Sequence, residues 1–252
     1  VVVLAAVTIA FFAIPLVGIL QRADWRHLWA DLATPEARDA LRLSLVCSLA
    51  ATGLAILFGT PLAWLLARTE VPGRAAIRAL VLLPMVLPPV VGGVALLSAF
   101  SLRSPIGGWL HDVAGIQLTF STAGAIMAET FVAMPFYIIT VEGALRSMDR
   151  RYEDAAASLG ARRLTVFRRV SLPLVAPSLV AGAVLAWARA LGEFGATITF
   201  AGNIAGRTRT LPLAIYLELE GDPEVAIALS LVLLAVSLVV LVSLRDRWLT
   251  RT

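Results

Sequence analysis

The residues able to do chemistry are few, and they cluster. Arg189 and Glu193 stand four apart inside an apolar run, so a helix would bring them to one face. Charges in such a run face a bundle interior or a wet cavity, because lipid does not solvate them. They would either line a path through the membrane or bridge two packed helices. Pro84, Pro88 and Pro89 punctuate another apolar run. Prolines remove amide donors and kink a helix, which is tolerated where neighbours or water satisfy the freed carbonyls. That suits a gate beside a cavity, or a purely structural kink. Glu129 lies deep in a third run, without an evident partner, and Glu142 falls near that run's end, where a solvated face is expected.

Other chemistries are excluded by what is missing. The chain has 21 basic residues, all arginine, and no lysine. Without lysine there is no P-loop, no Schiff base and no Ser–Lys pair. Cys47 is alone among apolar neighbours, so it is expected to be buried and inert. With His27 and His111 the only histidines, no Cys/His cluster can hold a metal, and no H-E-x-x-H is present. No catalytic residue is assigned.

The elements that must position these residues are membrane helices. The 252 residues are 59% hydrophobic and 15% charged, with a mean hydropathy of +0.87. A soluble domain carries about 25% charged residues. Six apolar runs reach the ~20 residues that cross a bilayer. They are 1–20, 41–67, 77–102, 120–145, 178–201 and 224–244. The expectation is an all-α integral membrane protein of six transmembrane helices, a single domain over 1–252 without linker or repeat. Thirteen arginines fall in segments 68–78, 146–173 and 245–252, against seven in the alternate segments. By the positive-inside rule the first set is cytoplasmic, and so are both termini. The net charge of +4 reflects this orientation and not nucleic acid.

The longest cytoplasmic segment, 146–173, is more than a connector. Glu153 and Asp154 suit a helix N-terminus, where carboxylates meet the positive end of the dipole. Ala155, Ala156 and Ala157 give a low-relief helical face, and Gly160 suits the position just past the helix end. Arg162 and Arg163 follow, then an amphipathic stretch expected to stop at Pro173. Such a short helix would be a docking knob for a partner, or would lie on anionic headgroups.

This segment resembles the EAA loop of ABC-importer permeases, with pattern E-A-A, then Gly, then I-x-L-P. Asp154, Ala155 and Ala156 take the first three positions, Gly160 the glycine, and Val170, Ser171, Leu172 and Pro173 the last four. Asp for Glu and Val for Ile are conservative departures. The resemblance implies a coupling helix that docks on a separate ATPase, through Glu153, Asp154, Ala155, Ala156, Ala157, Leu159, Gly160 and Arg162. A second stretch, Ala188 to Thr197 and then Phe200, Asn203, Ile204, Gly206, Thr208, Arg209, Thr210 and Pro212, looks like the molybdate/tungstate permeases of that class, close to the sulfate permeases.

That resemblance implies a homodimeric permease in a bacterial or archaeal cell membrane. Its partners would be two ATPase subunits, which hold ATP and magnesium, and an extracytoplasmic oxyanion-binding protein. This chain would bind no cofactor itself and would work by alternating access. The path or gate would draw on Pro84, Pro88, Pro89, Arg189, Gly192, Glu193, Phe194 and Thr197. Two alternatives stand beside it: a permease for sulfate or another solute, and an ion-coupled secondary transporter using Glu129 and Glu193.

Overall fold

The computed structural model describes residues 1–249, all in helices and their connections, with no strand among the described residues. Arg251, one of the arginines of the third basic segment, lies outside the described residues.

Two helices form the centre. Helix α3 runs Pro35–Arg68 and α7 runs Thr122–Ser147. Helix α3 starts on a cap: Thr34 Oγ1 accepts from the Ala37 amide, and Pro35 occupies a first-turn position where no donor is needed. Its buried face is a stripe of small residues at helical spacing, among them Ala40, Ser44, Cys47, Ala51, Ala55, Gly59 and Ala63. Small residues let helices approach closely in lipid, where apolar bulk gives no net drive for association. At Gly59 a β-carbon would lie 2.8 Å from the Tyr137 ring, and next to it Thr60 Oγ1 and the Tyr137 hydroxyl are 2.7 Å apart. Cys47 is fully buried, as expected.

Helices α1 (Val2–Arg22), α2 (Leu28–Leu32), α4 (Arg74–Val86), α5 (Pro89–Phe100) and α6 (Pro105–Ala114) precede α7. After it come α8 (Arg151–Ser158), α9 (Arg163–Val166), a π turn (Phe167–Ser171) and α10 (Leu172–Leu191). The described residues close with α11 (Gly195–Phe200), α12 (Leu211–Gly221) and α13 (Pro223–Leu249). Among the described residues, five helical stretches are long and apolar enough to span a bilayer, or six if α4 and α5 count as one.

Three expectations need correction. The run 77–102 is not one kinked helix, because α4 and α5 meet at 118°. A residue preceding proline is disfavoured in the α region. Leu87 and Pro88 both precede prolines and both are extended, with ψ 137° and 132°. Two extended residues in succession turn a kink into a break. Pro84, by contrast, stays inside α4.

The stretch expected to stop at Pro173 runs on instead, continuous from Arg163 to Leu191. The Leu172 amide reaches back to the Phe167 carbonyl in the π turn. The extra residue in that turn gives the proline ring room against the preceding carbonyls. The run 178–201 also breaks, since α10 ends at Leu191 and α11 begins at Gly195.

Candidate functional site

The first candidate region is α8 and its flanks. Asp149 accepts from the Arg151 amide at 2.9 Å, and Glu153 and Asp154 lie in the first turn. The helix ends in a Schellman arrangement. The Ala161 amide donates to Ala156 O at 3.1 Å and the Gly160 amide to Ala157 O at 2.9 Å. Gly160 has φ 83°, a left-handed conformation that a side chain would strain.

The two acids of α8 part company. Asp154 is exposed, together with Ala155, Ala157, Gly160 and Arg162, while Ala156 is half-buried. Leu159 is 89% exposed. These residues are accessible, with Asp154 and Ala157 bordering the cleft toward α3 and Leu159 the one large apolar side chain left in the open. Glu153 turns inward. Its Oε2 lies 3.0 Å from Arg68 Nε, and Ser171 Oγ donates to Oε1 at 2.5 Å. Arg68 also donates to the Met148 carbonyl at 3.2 Å. Of the two residues expected to face a partner, Glu153 is therefore spent on the chain's own interior. A cleft of about 490 Å³ between α8 and the end of α3 is lined by Trp64, Arg68, Glu153, Arg163 and Phe167.

The second region is membrane-embedded. Arg189 Nη1 and Glu193 Oε2 are 2.6 Å apart, the pairing their spacing predicted. Glu193 is 1% exposed, and its other oxygen accepts from the Ala196 amide at 2.7 Å. The carboxylate thus holds the α10–α11 break on both sides. This arrangement favours the bridging reading of the pair. The prolines come to the same place. A β-carbon on Gly195 would lie 2.9 Å from Pro89 Cβ, and one on Gly93 would lie 2.6 Å from Thr199 Cβ. The two broken runs, α4–α5 and α10–α11, therefore interlock through glycines at their breaks.

Gly192 is exposed at this break, and the Phe194 ring lies 5.0 Å from that of Tyr216. Thr197 is fully buried, with its hydroxyl unpartnered, and one Glu129 oxygen is likewise buried and unpartnered. Pro84 stands apart from this junction, on an apolar cavity of about 750 Å³ with Leu80, Met134 and Ile138.

The structure shows what sequence reasoning missed. Glu142 does not sit on a solvated face. It is 5% exposed, accepts from Arg78, and has Arg146 at 3.7 Å and Arg74 at 4.0 Å. The motif after α11 is a stapled loop. Thr208 Oγ1 accepts from the Ile204 amide at 2.9 Å and donates to Gly202 O at 3.2 Å. Arg209 Nε donates to Asn203 Oδ1 at 2.9 Å, and Gly202 and Gly206 have φ 75° and 68°. Ser44 Oγ then accepts from the Leu211 amide at 2.6 Å, tying this loop to α3. Asn203, Gly206, Thr208 and Arg209 are thus used to hold the loop's own shape.

Over residues 59–251 the chain matches the family described as the binding-protein-dependent transport system inner membrane component. The chain belongs to this family. It is similar to the molybdenum transport system permease protein ModB of Mycobacterium tuberculosis, with 51% identity over 95% of this chain and 90% of that protein. It is also similar to the sulfate transport system permease protein CysT of Salmonella typhimurium, at 39% identity over 91% of this chain and 83% of that one. The fold matches a bacterial alginate ABC transporter solved with an alginate pentasaccharide-bound periplasmic protein. The TM-score is 0.76, with 21% identity over 99% of this chain and 94% of that one. Family membership makes this chain a transport permease of the inner membrane. The ion-coupled secondary transporter gives way to a binding-protein-dependent system.

Proposed function

We propose that two copies of this chain form the membrane path of an ATP-driven importer for a tetrahedral oxyanion, molybdate or tungstate. The observation that carries this reading is the 51% identity to a molybdenum permease across 95% of the chain. An extracytoplasmic binding protein delivers the anion. Two ATPase subunits, holding ATP and magnesium, dock on the face formed by Asp154, Ala155, Ala157 and Leu159, with Gly160 and Arg162 closing its edge. That end of the bundle is read as cytoplasmic, with both termini on the same side, a reading the arginine distribution supports.

ATP binding draws the ATPase subunits together and carries α8 with them, opening the path outward to the loaded binding protein. Hydrolysis and release return it inward. The interlocked breaks around Pro88, Pro89, Gly192, Glu193, Phe194 and Thr197 are the candidate gate of this path, a close-packed junction that moves as one unit. Backbone there is not locked into a continuous helix, and irregular backbone at membrane depth belongs where it is buried or lines a cavity.

The test is reconstitution of the complex in liposomes with its ATPase. Binding protein loaded with molybdate, tungstate or sulfate is added outside, and ATP hydrolysis and anion uptake are followed. Stimulation by molybdate-loaded protein, lost in Leu159→Asp, is the expected result. Stimulation by sulfate alone would move the substrate to the one named for CysT. Failure of any ATPase to co-purify would remove the docking assignment.

A further inference from the structure

Helix α8 has no buried residue of its own. It stands off α3 across a cleft, and no apolar side chain of α8 is sunk into the bundle. Yet if it is to act as a lever, something must pass its displacement to the membrane helices. One polar junction spans the gap. Glu153 on α8 meets Arg68, the last residue of α3, at 3.0 Å, and Ser171, the last residue of the π turn before α10, at 2.5 Å. Arg68 meets the carbonyl of Met148, the cap of α7, at 3.2 Å. Four helical segments converge on two side chains, Arg68 6% and Glu153 15% exposed, and Ser171 is fully buried. Beside them the Trp64 and Phe167 rings meet edge-on at 5.7 Å, adding a contact between α3 and the π turn.

We infer that the Arg68–Glu153–Ser171 junction is the link that makes α3, α7 and α10 follow α8, and that Glu153 is a positioning residue rather than part of the partner-facing surface. This rests on the docking role proposed above for the outer face of α8. The charge pair is directional and partly shielded from water, so it resists separation where a smooth alanine face would slide. The hydrogen bond from Ser171 pins the widened turn, the place where a shift of α8 would otherwise dissipate before reaching α10. Asp154, next in sequence, borders the same cleft but is exposed, so its carboxylate is accessible to a partner.

The experiment uses the intact permease–ATPase complex in liposomes with loaded binding protein, reading three quantities: ATPase co-purification, ATP hydrolysed, and anion transported per ATP. Glu153→Gln keeps the shape and removes the charge. ATPase subunits are expected to co-purify with it as with wild type, while anion transported per ATP falls about tenfold. Ser171→Ala keeps the Arg68–Glu153 pair, removes only the hydrogen bond, and is expected to lower the same ratio about twofold. The reversed pair, Arg68→Glu with Glu153→Arg, is expected to recover part of the ratio lost by either single reversal.

A Glu153→Gln complex transporting at the wild-type ratio would overturn the inference. So would loss of the ATPase from that variant with the permease still folded, since Glu153 would then face the partner. Should the wild-type permease capture no ATPase, the docking reading itself fails and the junction's role falls with it. That outcome is told apart from the others because it appears before any substitution is made.

Discussion

The α8 junction and the α5–α11 junction solve opposite problems. At α8 the contact is made by long charged side chains reaching across a gap, and the apolar contribution of the helix is small. At α5–α11 it is made by missing side chains. Gly93 and Gly195 bring backbone against backbone, and the charge pair Arg189–Glu193 sits at the edge holding the turn. Close packing in lipid is short-ranged and tolerates little displacement, since a fraction of an ångström already forfeits dispersion energy. A charged bridge tolerates more travel before it is lost. The chain therefore has its stiff contact at the α5–α11 breaks and its longer-reaching one at α8.

The largest expected effect breaks the stiff region electrostatically. Arg189→Ala leaves Glu193 buried and uncompensated, which costs about 3–5 kcal/mol. Thermal unfolding in a fixed detergent should show the loss, and replacing the pair together, with Arg189→Met and Glu193→Gln, should recover most of it. Next comes packing. Gly93→Ala puts a methyl 2.6 Å from Thr199 Cβ and 2.9 Å from Ala196 O, and is expected to cost about 1–3 kcal/mol by the same assay. Wild-type stability in that variant would mean the α5–α11 interface is looser than its geometry.

The outer face of α8 should behave in the opposite way. Leu159→Asp touches an exposed position, so stability should stay within about 0.5 kcal/mol of wild type while ATPase co-purification is lost. The smallest effect concerns the loop after α1. His27 Nδ1 and Asp24 Oδ2 are 2.7 Å apart, which raises the His27 pKa above its ordinary 6.5 and lowers that of Asp24. Any stabilisation from the raised histidine is complete below pH 6.5 and fades as pH climbs through its folded value. That from the lowered aspartate fades as pH drops through its own depressed value. Titration of the imidazole resonance, with and without Asp24→Asn, should show the histidine returning toward its ordinary value in the variant. A histidine unmoved by that change would mean the pair is not formed in solution.

Local chemistry was legible in the sequence, and long-range pairing was not. The start of α8 at its acids, its end at Gly160, and the Arg189–Glu193 pair all follow from spacing within one or two turns. The break at Leu87–Pro89 was half legible: the prolines marked it, but the 118° fold depends on two successive pre-proline residues adopting extended backbone. The break at Gly192 carries no proline and was read through as helix. Which of Glu153 and Asp154 turns inward is decided by Arg68, 85 positions away. Glu142 was misread for the same reason, because its main partner, Arg78, is 64 positions earlier. Periodicity reports a helix's faces but not which neighbour each will meet.

Helix α3 touches nearly every part of this architecture. Ser44 holds the loop before α12 at Leu211, Ser48 accepts from the Trp187 indole of α10, Thr60 meets α7, and Arg68 reaches α8. From Ser44 to Arg68 the helix spans about 36 Å, more than the hydrocarbon thickness of a bilayer. A single helix, continuous through Pro61, is thus fastened at one end to α8 and at the other to the loop before α12. Rotation imposed at one end must be felt at the other, so in the importer proposed above, occupancy of one surface and engagement of the other would be two readings of the same torsional coordinate.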